Sequence, residues 1–110
     1  MEALKRLFSA PLAVAVLLAG FAQPAAAITA RDVMEKMEQK QRFGYLTGLI
    51  DMMSYQVLLA GDRNRAECIS KAYYGKQSDM DAQIFATFSK YPDRAPEALL
   101  VVLMKRACGG

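Results

Sequence analysis

The chain has 110 residues, a formal net charge of +3, two cysteines and no histidine. The absence of histidine excludes a histidine-containing catalytic triad, a histidine-ligated zinc site and an imidazole pH switch. The apolar fraction of 54% is high for a soluble domain, and much of the excess lies in the first 27 residues.

Residues 1–27 have the three parts of a secretory signal peptide. A basic pair is followed by an uncharged run over residues 7–22, and three alanines ending at Ala27 precede Ile28. This order of charge, apolar run and small residues is typical of a cleaved export signal. We therefore expect cleavage between Ala27 and Ile28, a single mature domain of residues 28–110, and a periplasmic location.

The alternative for this segment is a membrane anchor. An uncharged helix over residues 7–22 would span about 24 Å at 1.5 Å per residue, which is less than the roughly 30 Å of a hydrocarbon core. Pro11 and Gly20 interrupt the run, and no cysteine lies near the cleavage site for lipid attachment. The sequence thus predicts no stable membrane anchor after cleavage.

The mature chain has the pattern of an all-α bundle of four to five helices. Thr29 is expected to cap the first, whose apolar stripe consists of Val33, Met34 and Met37. The charged segment 35–42 is interpreted as a solvated face or a connecting turn. A second helix is predicted from Phe43 to Ala60, with Gly61 after its end.

Two features of the first two predicted helices could serve packing. Gly44 and Gly48 are four residues apart, a spacing that permits close contact with another helix. Methionines at positions 34, 37, 52 and 53 are interpreted as side chains that fill gaps in the core rather than as an adaptable docking surface.

Three further helices complete the predicted bundle. The third covers residues 64–74 and ends at Gly75, and the fourth opens with a capping box formed by Ser78 and Asp81. The buried ridge of the fourth consists of Met80, Ile84 and Phe88, and Tyr91 with Pro92 ends it.

Asp93 is expected to cap the fifth helix, which tolerates Pro96 in its first turn. Because residues 98–104 are apolar on nearly every side, this helix is predicted to be central to the core.

The two cysteines are expected to form a disulfide. In an oxidising compartment, a pair of cysteines in a short chain is most simply a structural bridge, and Cys68 with Cys108 would close a loop of about 41 residues. The alternatives are a redox pair and a metal site. A redox pair favours C-x-x-C, and two thiolates without histidine make a poor zinc site.

The sequence indicates neither an enzyme nor a cofactor-binding protein. The serines have no histidine or lysine base in a recognisable motif, and Asp79 and Asp81 are interpreted as residues at a helix start. The chain has no phosphate-binding loop and no calcium-loop pattern, so no metal or cofactor is expected. The mature charge of +2 also argues against nucleic acid as a partner.

A modest surface cluster flanks the third predicted helix and is our candidate for partner binding. Arginine and tyrosine are enriched at the energetic centres of protein interfaces. The contacting turns are expected at residues 60–65 and 74–78. The candidate residues are Arg63, Asn64, Arg65, Tyr74, Lys76 and Gln77.

The order of these landmarks resembles the Rap/Tai-type immunity proteins of type VI secretion. The resemblance covers nearly the whole mature chain and consists of a Gly-Tyr-x-x-Gly-x-x-Asp stretch at 44–51, Cys68 after a turn, a helix ending in Tyr91-Pro92, and an apolar helix closing on Cys108. The chain departs from the family in two ways. Family members commonly have a further cysteine pair, near the first helix and just before the Gly-Tyr, where this chain has Phe43, and a proline often follows the cysteine that corresponds to Cys68.

Two functions are compared on this basis. The resemblance implies an exported helical protein that binds a peptidoglycan amidase effector and occludes its active-site cleft without chemistry of its own; a homodimer is also considered. The alternative is a periplasmic stress chaperone, similar in size and disulfide use to the HdeA-type acid chaperones. There, protonation of carboxylates would leave unbalanced positive charge and expose apolar surface.

Overall fold

Five α-helices account for most of residues 27–109, the part of the chain that the computed structural model describes. They are α1 (Ala30–Glu35), α2 (Gln39–Leu59), α3 (Arg63–Tyr74), α4 (Gln77–Lys90) and α5 (Pro96–Cys108), with no strand among the described residues. The predicted all-α fold is confirmed. Nearly all of the predicted signal peptide lies outside the described residues. None of the five helices is long and apolar enough to cross a membrane.

The predicted cap of the first helix is confirmed. Thr29 Oγ1 accepts a hydrogen bond of 3.2 Å from the Asp32 amide, and Asp32 Oδ2 accepts one of 3.0 Å from the Thr29 amide. This reciprocal capping box satisfies two N–H groups that the helix itself cannot. The hydrogen bond from the Thr29 backbone, followed by one from Lys36, holds the pKa of Asp32 below its ordinary value.

The start of α2 differs from the prediction. Only residues 36–38 of the charged segment lie between helices, and α2 begins at Gln39, four residues before Phe43. The position of Arg42 gives the reason. Its Nε donates to the Val33 carbonyl at 3.1 Å, and its Nη2 donates to the carbonyls of Met34 and Met37 at 2.9 and 3.2 Å. Arg42 thus satisfies carbonyls at the end of α1 and in the turn that follows it. These bonds favour a helical conformation of α2 from the end of that turn onward.

The turn between α2 and α3 follows the prediction closely. Gly61 has a φ of +93°, a conformation that suits glycine at the end of a helix. Asp62 then caps α3, since its Oδ1 accepts a hydrogen bond of 3.0 Å from the Arg65 amide. This cap starts α3 at Arg63, one residue before the predicted start.

Both predicted caps in the second half of the chain are wrong. The residue before α4 is Lys76, which makes no side-chain cap, so Ser78 lies inside the first turn and forms no capping box with Asp81. The residue before α5 is Ala95. Asp93 instead forms an ion pair of 2.9 Å with Arg31 at the start of α1.

All five helices contribute to one core. The fully buried side chains include Tyr73 and Phe88, and the predicted ridge of α4 is confirmed as buried. Only one side of α5 faces the core, because Val101 and Val102 on the other side are 39% and 45% exposed. The buried apolar residues are Ala30, Val33, Leu46, Ile50, Ala66, Ile69, Tyr73, Met80, Ile84, Phe88, Leu99, Leu100, Leu103 and Met104.

The disulfide between Cys68 and Cys108 is confirmed. The sulfur atoms are 2.09 Å apart and the Cα atoms 5.8 Å apart. The bond joins the middle of α3 to the last residue of α5. A loop of this length contributes about 4 kcal/mol to stability in the chain-entropy model, which is a large share for a small domain.

Candidate functional site

One side of α2 is apolar and exposed in the part of the chain that the structure describes. We call it the outer face of α2, and it consists of Gly44, Gly48, Met52, Tyr55 and Leu59, at spacings of three and four residues that place them on one side of a helix. The three large side chains are 55%, 55% and 69% exposed, respectively. Contiguous exposed apolar side chains of this size mark interaction surfaces.

The composition of α2 makes this surface unusual for a solvated helix. Leu46 and Ile50 are buried on the opposite side, so apolar residues occupy both sides of the helix. Asp51 is the only charged residue between positions 43 and 59. A helix that merely covered a core would carry charged residues on its solvent side, so the outer face of α2 has the composition of a surface that a partner covers.

The two glycines leave a shallow region at one end of this face. Within residues 27–109, no atom of another element lies within 4 Å of where a Cβ would be at Gly44 or Gly48. The predicted close helix packing at these glycines is therefore wrong for the described chain. Instead, the missing side chains leave the backbone of α2 open to close approach by another molecule.

The prediction that Met52 lies in the core is wrong. Met34, Met37 and Met53 pack against the core as expected, whereas Met52 points away from it. Tyr55 and Leu59 were not predicted as binding residues at all. The signal that could have found them is the stretch of 17 residues from 43 to 59, in which Asp51 is the only charged residue and which has more apolar residues than one buried helix face needs.

The structure divides the predicted partner-binding cluster into two groups. The first group forms the first turn of α3 and consists of Arg63, Asn64 and Arg65. The second group lies at and just beyond the other end of α3 and consists of Tyr74, Lys76 and Gln77. The ends are about 16 Å apart at 1.5 Å per residue. The first group adjoins the outer face of α2, because the turn at residues 60–62 leads directly from Leu59 to Arg63. Arg63 and Asn64 are exposed, and Arg65 is half-buried.

The second group serves internal contacts. The Tyr74 hydroxyl donates a hydrogen bond of 2.7 Å to Asp51 Oδ1. Burial, followed by this hydrogen bond to Asp51, raises the pKa of Tyr74 to about 12. Gln77 is half-buried and lies close enough to Tyr73 to affect its pKa, and Lys76 is exposed at the start of α4.

The described residues show no assembled catalytic or metal-binding group. Ser54 Oγ donates to the Ala66 carbonyl at 2.9 Å and lies 3.1 Å from Ser70 Oγ, so both hydroxyls serve the contact between α2 and α3. No cluster of three or more cysteine, aspartate or glutamate side chains suited to a metal occurs within residues 27–109.

The predicted cleavage site lies at the edge of the described chain. Ala27 and Ile28 are exposed and belong to no helix. Cleavage between them would leave the capping box of Thr29 and Asp32 intact.

Comparison with known proteins gives no match: no family model, curated protein or solved structure is significantly similar to this chain.

Proposed function

We propose that this chain is an exported periplasmic protein that binds another protein through the outer face of α2 and the adjoining turn at residues 60–65. In its most specific version, the proposal makes the chain an immunity protein. Its partner is then a peptidoglycan amidase effector, and binding occludes the active-site cleft of that effector. The observation that carries the proposal is the exposure of Met52, Tyr55 and Leu59 on one side of a single helix.

The binding mode follows from the order of residues along this surface. Tyr55 and Leu59 would be the apolar anchors, and aromatic side chains in desolvated pockets dominate interface energies. Arg63 and Asn64 would lie at the polar rim. A standard interface buries about 800 Å² on each partner, so the turn must contribute as well as the helix.

The proposed mechanism requires no chemistry by this chain. The partner loses activity because its cleft is covered, and the rigid helix supplies the covering surface. Exposed side chains on a helix that is already formed lose little backbone entropy on binding.

The acid-chaperone alternative has less support. Among residues 27–109, the ion pairs are Arg31 with Asp93 and Lys36 with Asp32, and both involve exposed cations. Protonation of the carboxylates would weaken these pairs and the caps made by Asp32 and Asp62, whereas the apolar core and the disulfide would remain. A fold held in this way is not arranged to open at low pH.

A capture experiment tests the proposal. The mature protein is used to isolate partners from periplasmic extract, and peptidoglycan amidase activity of the captured protein is measured with and without added wild type. The variants Met52→Asp and Leu59→Asp are expected to lose capture and inhibition. Val102→Asp introduces the same charge at an exposed apolar position of α5 and is expected to retain both.

Two results would overturn the proposal. One is capture by the outer-face variants that equals the wild type while their helical circular dichroism is unchanged. The other is the absence of sensitivity to neighbouring sister cells when the gene is deleted, which would exclude the immunity form.

A further inference from the structure

A second surface feature lies on the other side of α2. A cleft of about 600 Å³ is bounded by the first turns of α2, the end of α3 and the first half of α4. Its apolar walls are Phe43, Leu46 and Phe85. Small-molecule sites in proteins have about this volume and a mostly apolar lining with a few polar groups.

Two buried polar atoms of this cleft lie near each other but do not meet the geometry of a hydrogen bond with each other or with any other group among residues 27–109. They are the hydroxyl oxygen of Tyr73, whose side chain is fully buried, and Oδ1 of the Asp81 carboxylate. A buried polar atom without a hydrogen-bond partner destabilises the fold. Such atoms are uncommon in native proteins and point to a bound molecule that supplies the missing partners.

Charged side chains of both signs line the cleft. Asp81 lies on the α4 side, whereas Lys40 and Arg42 line the α2 side. The Nε and Nη2 atoms of Arg42 donate to carbonyls at the end of α1, which leaves Nη1 without a hydrogen bond in the described chain. The cleft therefore offers one carboxylate and two cationic groups to a ligand that carries both charges.

We propose that this cleft binds an α-amino acid with an apolar side chain. The ligand's ammonium group would donate to Asp81 Oδ1 and the Tyr73 hydroxyl oxygen, and its carboxylate would face Lys40. The side chain would lie against Phe43 and Leu46. An ammonium group carries three donors, which suits two unpartnered oxygen atoms better than a single hydroxyl would.

The site is independent of the proposed function. Leu46 and the cleft lie on the opposite side of α2 from Met52 and Tyr55, so a molecule in the cleft leaves the outer face of α2 uncovered. Failure of either proposal therefore leaves the other standing.

A titration with three related ligands tests each group of the amino acid. The probes are L-phenylalanine, L-phenylalaninamide, which lacks the carboxylate, and N-acetyl-L-phenylalanine, which lacks the ammonium group. Binding to the mature protein is followed by amide chemical shifts in two-dimensional NMR. We expect saturable shifts at Tyr73 and Asp81 with L-phenylalanine and about tenfold weaker binding of the acetylated probe.

Variants connect each ligand group to a side chain. Asp81→Asn is expected to weaken L-phenylalanine binding about tenfold, whereas Asp79→Asn, an exposed position in the first turn of the same helix, leaves it unchanged. Lys40→Ala is expected to weaken binding of L-phenylalanine but not of its amide. Tyr73→Phe keeps the buried ring and removes only the hydroxyl.

Three outcomes would overturn the proposal. They are the absence of saturable shifts with L-phenylalanine, equal binding of the acetylated probe, and full binding by a folded Asp81→Asn variant. If no probe binds and Tyr73→Phe lowers stability, the two polar groups satisfy one another and the cleft holds no ligand.

Discussion

The side chains of Tyr74 and Asp51 join α3 to α2 at the surface, because the Tyr74 hydroxyl donates a 2.7 Å hydrogen bond to Asp51 Oδ1. The neighbouring ring of Tyr73 lies edge-on, with the ring centres 4.9 Å apart. Two adjacent tyrosines therefore have different roles: Tyr73 fills the core, and Tyr74 links two helices.

The first prediction concerns alkaline pH. The pKa of Tyr74 is raised from its ordinary value of 10 to about 12 in the folded protein, so the unfolded chain releases this proton first as pH rises. The stabilisation is fully present below pH 10 and is lost as pH rises through about 12. We expect the urea midpoint of the wild type to fall more steeply over this interval than that of Tyr74→Phe. Parallel curves would contradict the prediction, and Tyr55→Phe is the control.

The second prediction concerns the disulfide. Replacing Cys68 and Cys108 together by serine is expected to lower the free energy of unfolding by about 4 kcal/mol. Denaturation of the wild type in urea with and without a reductant should give a similar difference. An unchanged midpoint in the double variant would show that the bond does not constrain the unfolded chain.

The third prediction concerns Arg42, which joins three helices. Besides its three hydrogen bonds to carbonyls at the end of α1, its guanidinium lies 5.5 Å from the ring centre of Phe85 in α4. Lysine cannot reproduce this planar set of donors, so Arg42→Lys is expected to cost about 2 kcal/mol. Hydrogen exchange of the α1 amides should accelerate. The reverse substitution at its exposed neighbour, Lys40→Arg, should change stability by less than about 0.5 kcal/mol.

The fourth prediction separates stability from binding on the outer face of α2. Gly48→Ala meets no neighbouring atom and removes backbone freedom from the unfolded chain, so it is expected to stabilise the fold by about 0.5–1 kcal/mol. If a partner approaches α2 closely at this glycine, the same variant should bind that partner more weakly. Thermal melting and capture of the partner are measured on one preparation. Stronger or equal capture would place the contact elsewhere.

Features that depend on neighbouring residues were predicted well from the sequence. Thr29 and Gly61 act through the backbone within a few residues, so their roles follow from local chemistry. The ridge of α4 is likewise a consequence of residues four apart. The disulfide was predictable because the two described cysteines have only one pairing.

The predictions failed where distant parts of the chain compete for a side chain. Asp93 has a suitable position for a cap, but Arg31 engages it from the start of α1. Asp81 resembles the acidic residue of a capping box, but α3 places Tyr73 beside it. The charged residues of segment 35–42 suggested a turn or a solvated face. Arg42 instead lies within α2 and donates hydrogen bonds to carbonyls of another helix.

The candidate site was predicted only in part. Arg63 and Asn64 are exposed beside it, but the pattern of apolar residues in α2 does not show which of two apolar sides faces the core. That choice depends on how α3 packs, and it is the reason Met52 was assigned to the interior. Tyr74 and Gln77 were grouped with the arginines because they are close in sequence, although a whole helix separates them.

The position of the disulfide divides the described chain into a closed covalent ring, residues 68–108, and an open arm, residues 27–67. The ring contains α4, α5 and the second half of α3, and its two ends cannot separate while the bond persists. The arm contains α1, α2 and the start of α3, and apart from the backbone at Cys68 only non-covalent contacts hold it to the ring. A pulling force on the start of the arm would peel α1 and then α2 away from a ring that stays closed. The apolar surface that we assign to partner recognition therefore belongs to the more compliant half of the molecule.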